Sequence, residues 1–204
     1  MPLLPPSTIT AKEQWMLDTV ASELDAGRPC LVFGWHIALL PRLVRLLEQH
    51  LGEKVALLRA DKVPAAKRQD WINEQVLAPG RRVLVTNPKA VETGLNNLVR
   101  FATQVWMQSP ACNPVTYRQA VGRSHRIGQK QATRILFPVY RGTSQAALHT
   151  LLTQKVAVSL AVDGLDASSA LEAAGAGDGQ EGAGLRHLDV GQALYRLLTG
   201  EVRA

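Results

Sequence analysis

The stretch CLVFGWHIALLPRLVRLLEQHLGEKVALLRA, residues 30–60, decides the fold class. It opens with a short apolar run at residues 30–35, which is typical of a buried strand. Apolar residues then recur with helical periodicity over residues 39–51, and Gly52 favours a helix end. A second apolar run at residues 55–60 predicts another strand. Since a strand, a helix and a strand follow one another, we predict two parallel strands joined by a crossover helix.

The same alternation continues on both sides of this stretch. Upstream, Thr10 can cap a helix that carries Leu17 and Val20, and Gly27 favours its end. Downstream, the pattern predicts a helix from about Pro64 to about Leu77, strands at residues 82–87, 103–109 and 132–140, a helix beginning at Asn113 and Pro114, and a long helix from Thr143 or Ser144 to about Val162. Pro138 puts the last strand at a sheet edge or at a strand end. We therefore predict an α/β domain with a mainly parallel sheet and helices on both faces.

Composition limits the classes of protein that fit. The 204 residues suffice for one full α/β domain and a short appendage, and 46% of them are hydrophobic. The net charge of +6 favours a partner that carries phosphate. Cysteines and histidines lack the spacing of metal ligands, so we expect no metal site in this chain. No apolar run reaches membrane-spanning length and the N-terminus lacks a secretory pattern, so we expect a cytoplasmic protein without a membrane partner.

Domain boundaries follow from changes in composition. We predict an N-terminal tail over residues 1–9 and a folded lobe over residues 10–165 that includes the long helix at residues 143–162. A run rich in glycine and alanine predicts a flexible linker over residues 166–186. The remaining residues, 187–204, form a short amphipathic segment that we interpret as a C-terminal helix.

The segment YRQAVGRSHRIGQ, residues 117–129, carries the strongest functional signal. On a helix, Gln119 and Arg123 would share a face, and Arg126, three positions further on, could extend it. A guanidinium group suits phosphate oxygens because it offers planar paired donors and a permanent charge. The chain contains no G-x-x-x-x-G-K-[ST] loop, so a phosphate-binding lysine loop would have to come from elsewhere. A solvated basic face, a salt-bridging face and simple nucleic-acid phosphate contacts remain as alternatives.

Several of these segments resemble one family of enzymes. QAVGRSHRIGQ (residues 119–129) is similar to motif VI of the Swi/Snf-type branch of superfamily 2 DNA translocases, with Gly122 where many members have an acid. NPKAVETGLNNL (residues 87–98) resembles motif V of a bacterial and phage subgroup. Residues 55–72 and the helix within residues 142–164 resemble the segments that precede motif V and follow motif VI in that subgroup. The resemblance covers roughly residues 10–165, in the family order.

The resemblance implies a three-layer, RecA-like lobe of the P-loop NTPase type that lacks a Walker A loop. It would be the second lobe of an ATP-dependent DNA helicase or translocase. ATP and Mg²⁺ would bind between this lobe and a first lobe with Walker A and B motifs, which this sequence does not contain. Arg123 and Arg126 would stabilise the transferring γ-phosphoryl group. Gln119 would fix the helix or the nucleotide, and Gly94 and Asn96 would lie near the nucleotide.

A second set of residues is expected to contact double-stranded DNA through its phosphate backbone, without reading bases. These residues follow predicted strands and are Thr86, Asn87, Lys89, Arg59 and Lys62. One alternative is a non-catalytic module that binds DNA or a partner helicase and comes from a split or decayed gene. Another is an unrelated α/β nucleotide-binding protein. The resemblance favours a bacterial or phage-encoded chain.

Overall fold

The computed structural model describes residues 8–91, 95–109 and 113–162, which divide between two compact units. The first unit contains residues 8–91, 95–108 and 116–138, and the second contains residues 109, 113–115 and 139–162. The predicted linker at residues 166–186 and the predicted helix at residues 187–204 lie outside the described residues. The sheet and both candidate sites belong to the first unit.

Helices and strands alternate along the chain, as the sequence predicts. The strands are β1 (Cys30–Phe33), β2 (Ala56–Leu58), β3 (Val83–Thr86), β4 (Thr103–Trp106) and β5 (Arg134–Leu136). The α-helices are α1 (Ala11–Asp25), α2 (Leu40–Leu51), α3 (Arg68–Ile72), α4 (Pro114–Ser124) and α5 (Ser144–Val162). Helix α5 lies in the second unit. The 3-10 turns Pro88–Ala90 and Asn97–Arg100 lie between β3 and β4.

The five strands form one parallel sheet in the order β2-β3-β1-β4-β5. Strand β1 is central, and its last residue, Phe33, is aligned with Thr86 of β3 and Trp106 of β4. The carboxyl ends of these strands therefore meet at one edge, where parallel sheets place their ligand sites. The predicted parallel α/β architecture is confirmed, and β5 is an edge strand.

Alternate strand residues point to opposite faces, and each face has its own core. Cys30 and Val32 of β1 pack with the apolar side of α1 and α2, whereas Leu31 and Phe33 pack with α3, α4 and the residues between β3 and β4. Strands buried on both faces read as continuous apolar runs, which is why the opening stretch of sequence could predict this arrangement.

Helix ends follow the predicted signals. The side chain of Thr10 accepts a hydrogen bond from the backbone of Glu13, whose carboxylate accepts one from the Thr10 backbone, so the two residues form a capping box. Gly52 ends α2 with a φ of 68°, in the left-handed region that glycine adopts without a Cβ penalty. Asn113 caps α4, since its Oδ1 accepts from the Val115 backbone N–H at 3.1 Å.

The structure differs from the sequence prediction in two respects. Every strand ends earlier than its apolar run, and after β3 and β4 the chain leaves the sheet while Asn87 and Met107 are still buried. The helix predicted from about Pro64 to about Leu77 is instead three consecutive pieces: a 3-10 turn at Ala65–Lys67, the α-helical α3, and a π-helical turn at Asn73–Leu77.

At the amino edge of the sheet, the buried carboxylate of Glu23 joins three elements. It accepts hydrogen bonds from Arg28 at 2.5 and 3.1 Å, from the Thr103 hydroxyl at 2.5 Å and from Arg134 at 2.6 Å. The bond from Arg28 is the main reason why the pKa of Glu23 lies below its ordinary value.

Among the described residues, none of the helices is long and apolar enough to cross a membrane.

Candidate functional site

Arg123 lies in the last turn of α4 and is turned into the protein. Its side chain is 8% exposed, with Nε donating to the Val91 carbonyl at 2.9 Å and Nη1 to the Leu95 carbonyl at 3.3 Å. Burial, together with the nearby charge of Arg126, lowers the pKa of Arg123. One guanidinium thus holds the motif V segment (residues 87–98) on both sides of Gly94, which itself lies outside the described residues.

Arg126 is placed differently. Helix α4 ends at Ser124, so the expectation that Arg126 extends the helical face of Arg123 is wrong. The chain turns instead, with Gly128 at a φ of 101°. Arg126 is exposed, and its Nη1 donates to Asn96 Oδ1 at 2.6 Å. Its partner is a neutral amide oxygen rather than a carboxylate, so an anion would not have to displace an ion pair to reach it.

Gln119 also departs from the predicted common face, because it is exposed on α4 while Arg123, one turn later, is buried. Arg126 and Asn96 are therefore the predicted nucleotide-site residues that the structure brings into direct contact. Gln119 lies on α4 with Arg123, and it makes no described contact to Arg126 or Asn96.

Two glutamines without a predicted role hold the motif VI segment (residues 119–129) in place. Gln104 of β4 donates to the carbonyls of Ala120 and Val121 and, at 2.8 Å, to the hydroxyl of Ser124. Gln129 donates to the carbonyls of Val99 and Ser124. A polar residue inside the apolar run of β4 is the sequence signal that could have identified Gln104, since a buried amide must find partners.

An aromatic cluster anchors α4 to the sheet. Trp106 packs against Phe33, Phe137 and Tyr117 with ring centroids 4.4, 5.3 and 5.4 Å away. These tilted and offset arrangements are the favourable ones for aromatic pairs. The cluster fixes the helix that carries Arg123 relative to the carboxyl edge of the sheet.

Two of the predicted DNA contacts are structural. Thr86 is 0% exposed and its hydroxyl donates to the Leu58 carbonyl at 2.9 Å. Asn87 is buried, donates to the carbonyls of Gly34 and Trp35, and accepts from the Lys89 backbone. The expectation that both side chains face a duplex is therefore wrong for this structure, because the hydroxyl and the amide tie neighbouring strand ends together.

The three predicted cationic contacts remain accessible at the carboxyl edge. Lys89 is exposed, with its Nζ 5.2 Å from the centroid of the Trp35 ring. Lys62 is exposed after β2. Arg59 is half-buried and pairs with Asp61 through two contacts of 3.0 and 2.6 Å, which neutralises part of its charge. Lysines 62 and 89 are thus the stronger candidates for an anionic partner.

In the described ranges, groups of three or more histidine, cysteine or acidic side chains able to hold a metal ion are absent. The donors that the site does offer are cationic and amide groups, which fit phosphate oxygens and not a metal ion.

Sequence comparison relates the chain to much longer proteins. It is 30% identical over 158 residues to the SWI/SNF-related matrix-associated actin-dependent regulator of chromatin subfamily A-like protein 1 of Xenopus tropicalis, over 74% of this chain and 16% of that protein. It is 28% identical over 134 residues to the DNA annealing helicase and endonuclease ZRANB3 of Mus musculus, over 63% of this chain and 12% of that protein. No protein-family model matches the chain.

Comparison of structures identifies the fold. The C-terminal part of the Fun30 ATPase domain matches with a TM-score of 0.60 and 20% identity, over 70% of this chain and 45% of that one. The C-terminal domain of the Sulfolobus solfataricus SWI2/SNF2 ATPase matches with a TM-score of 0.54 and 18% identity, over 80% and 64%. The core of that ATPase in complex with double-stranded DNA matches with a TM-score of 0.56 and 19% identity, over 79% and 33%. The chain therefore has the fold of the RecA-like C-terminal lobe of SWI2/SNF2 ATPases, and its sequence relatives are SWI/SNF-related proteins.

Proposed function

We propose that this chain is the second lobe of a Swi/Snf-like, DNA-dependent ATPase. The observation that carries the proposal is the exposed Arg126, which the motif V segment holds through Asn96 Oδ1 at 2.6 Å and which makes no ion pair with the residues that the structure describes. A guanidinium presented in this way suits the negative charge that develops on a transferring phosphoryl group. The similarity in sequence and fold to SWI/SNF-related proteins supports the same proposal.

In this proposal the two arginines have different roles. Arg126 would contact the γ-phosphate of an ATP molecule whose Mg²⁺ and remaining phosphates are held by a first lobe with Walker A and B motifs. Bound ATP and Mg²⁺ would supply the phosphoryl group and neutralise its charge. Arg123 would hold the motif V segment in place, because its Nε and Nη1 donate to the carbonyls of Val91 and Leu95. Gln119 and Gly94 stay as proposed neighbours of the nucleotide.

The first test is ATP hydrolysis by complementation. The 204-residue chain alone should hydrolyse no ATP, and adding an isolated Swi/Snf-type first lobe with double-stranded DNA should restore hydrolysis. Arg126→Ala should then lower kcat by about 10³-fold or more, the range known for arginine fingers. Lys130→Ala is the matched control, since Lys130 is an exposed cation of the same loop without a described hydrogen bond.

The same assay separates the competing readings. DNA-stimulated hydrolysis by the chain alone would contradict the proposal that this chain is a second lobe that needs a separate first lobe. A chain that binds DNA, but gives no hydrolysis with any first lobe, would support the alternative of a non-catalytic DNA- or helicase-binding module. Placement in the bacterial and phage subgroup rests on the resemblance of the motif V segment, of residues 55–72 and of the helix within residues 142–164, and it is part of the proposal.

We also propose that the carboxyl edge of the sheet binds the DNA backbone without reading sequence. Lys62 and Lys89 provide exposed cations there, and the matching Sulfolobus core was solved with double-stranded DNA. Each phosphate contact that is removed should lower the slope of log affinity against log salt concentration by about 1. Lys62→Ala and Lys89→Ala should each do so, and the effect should be equal for unrelated DNA sequences.

Lys54→Ala is the control for this experiment. Lys54 is exposed and precedes β2, whereas Lys62 follows it, so the two lysines lie at opposite edges of the sheet. A Lys54→Ala chain that loses as much salt dependence as Lys62→Ala would assign DNA binding to general positive charge rather than to this surface.

A further inference from the structure

Asn96 is bound from two sides. It is the residue that precedes the 3-10 turn Asn97–Arg100, yet its side chain makes no capping hydrogen bond to that turn. Asparagine in this position ordinarily uses its side-chain oxygen as a cap. Here Asn96 Oδ1 accepts from Arg126 Nη1 instead, at 2.6 Å. The side-chain oxygen of Asn96 is therefore bound to Arg126 and not to the turn that follows it.

The backbone of Asn96 is held from α3. Gln69 Oε1 accepts the backbone N–H of Asn96 at 3.1 Å, and in the part of the chain that the structure describes this is the acceptor for that N–H. Next to it, the amide of Asn97 donates to Asn73 Oδ1. Two consecutive residues of the motif V segment are thus held by side chains of α3 and of the π-helical turn that follows it.

The other end of the motif V segment is tied to the same helix. Arg68, which precedes Gln69, donates through Nη1 to the Ala90 carbonyl and through Nε to the Val63 carbonyl, each at 3.1 Å. The π-helical turn begins at Asn73, directly after α3, and such turns are frequent at functional sites. Helix α3 is therefore a fixed support for the segment that holds Arg126.

We infer that Gln69 is a positioning residue for Arg126, acting through Asn96. An exposed arginine side chain has many rotamers, and restricting them before a ligand binds lowers the entropy lost on binding. Gln69 holds the Asn96 backbone, and this hold keeps Asn96 Oδ1 in reach of the guanidinium. The meaning of Arg126 for catalysis rests on the proposed function, but the positioning itself can be measured on this chain alone.

The experiment uses three variants of the full chain. Gln69→Met keeps the length of the side chain and removes the acceptor, whereas Gln69→Glu keeps an acceptor oxygen. Gln75→Met is the matched control, because Gln75 lies on the π-helical turn and its side chain makes no hydrogen bond to the described residues. Nuclear magnetic resonance would measure amide hydrogen exchange at Asn96 and the rotation of the Arg126 guanidinium group.

We expect Gln69→Met to speed exchange at Asn96 about fivefold to tenfold, the size expected for one lost hydrogen bond. Rotation of the Arg126 guanidinium should speed up in the same variant. In Gln69→Glu and in Gln75→Met, the exchange rate at Asn96 and the rotation rate at Arg126 should both stay as they are in the unmodified chain. Unchanged exchange at Asn96 in Gln69→Met would overturn the inference, and so would faster exchange at Asn96 with unchanged rotation at Arg126.

A second measurement connects positioning with catalysis. With a first lobe added, Gln69→Met should lower kcat and leave KM for ATP nearly unchanged, and it should have no further effect in an Arg126→Ala chain. An equal loss in the Arg126→Ala background would contradict action through Arg126. If the unmodified chain mixed with a first lobe and DNA hydrolyses no ATP, that result would count against the proposed function only, because the exchange and rotation measurements decide the positioning role independently.

Discussion

Two arginines three positions apart in one short segment have opposite environments. Arg123 is buried against backbone carbonyls, and Arg126 is exposed beside an amide oxygen. The sequence motif presents them as equivalent cations. The structure separates them, because the helix ends between them and the following turn brings Arg126 to the exposed side chain of Asn96.

This separation predicts different effects on stability. Arg123→Ala should lower the free energy of unfolding by about 2–4 kcal/mol, since the Val91 and Leu95 carbonyls would lose buried hydrogen bonds. Arg126→Ala should change it by about 0.5 kcal/mol or less, as expected for an exposed side chain. Urea unfolding followed by circular dichroism would measure both. Equal losses would show that Arg126 is as structural as Arg123.

At the scale of elements, helix α4 and the turn after it offer a paired test of backbone conformation. Gly122 lies inside the helix, and Gly128 has a φ of 101°; a Cβ at either position meets no atom within 4 Å. Gly122→Ala should stabilise the protein by about 1 kcal/mol, because glycine is a poor helix former. Gly128→Ala should destabilise it by about 1–2 kcal/mol, because its backbone is left-handed.

Thermal unfolding of both variants would check this pair. The two substitutions add the same methyl group into open space, so only the backbone conformation distinguishes them. A stabilising Gly128→Ala would mean that this turn adopts another conformation in solution.

The elements were largely predictable from sequence, and the contacts of the site were not. Apolar runs locate the strands, most clearly β1, β3 and β4, because every residue of those three is buried. Thr10 and Gly52 set helix ends through local bonds. The inward turn of Arg123 depends on carbonyls at Val91 and Leu95, which are distant in sequence. The role of Gln69 could not be predicted from the sequence for the same reason, since its partner Asn96 belongs to another element.

On the scale of the whole first unit, the carboxylate of Glu23 links α1, the chain before β1, and strands β4 and β5. Its pKa is lowered, mainly by the hydrogen bond from Arg28, so the ionised form is favoured in the folded protein. A lowered pKa contributes stability above the ordinary value, and that contribution is lost as the pH falls through the folded-state pKa.

We therefore expect the free energy of unfolding to fall as the pH drops below about 4.5, the ordinary glutamate pKa, and to fall less steeply in a Glu23→Gln chain. At pH 7 that substitution should cost about 2 kcal/mol, because hydrogen bonds to a charged acceptor are lost. Asp25→Asn, at an exposed position of the same helix, is the control. Parallel pH profiles for wild type and Glu23→Gln would remove Glu23 as the source of acid sensitivity.

The position of β1 at the centre of the sheet has a consequence for the order in which the chain folds. β1 comes first among the strands, but both of its neighbours, β3 and β4, are far downstream. A ribosome therefore releases the most apolar strand long before either partner exists. Until β3 and β4 have been synthesised, Leu31 and Phe33 lack their native partners and remain in a partly collapsed chain. Refolding must likewise close long loops before β3 and β4 can pair with β1. We expect slow refolding, and a need for chaperones during synthesis greater than that of a helical protein of equal length.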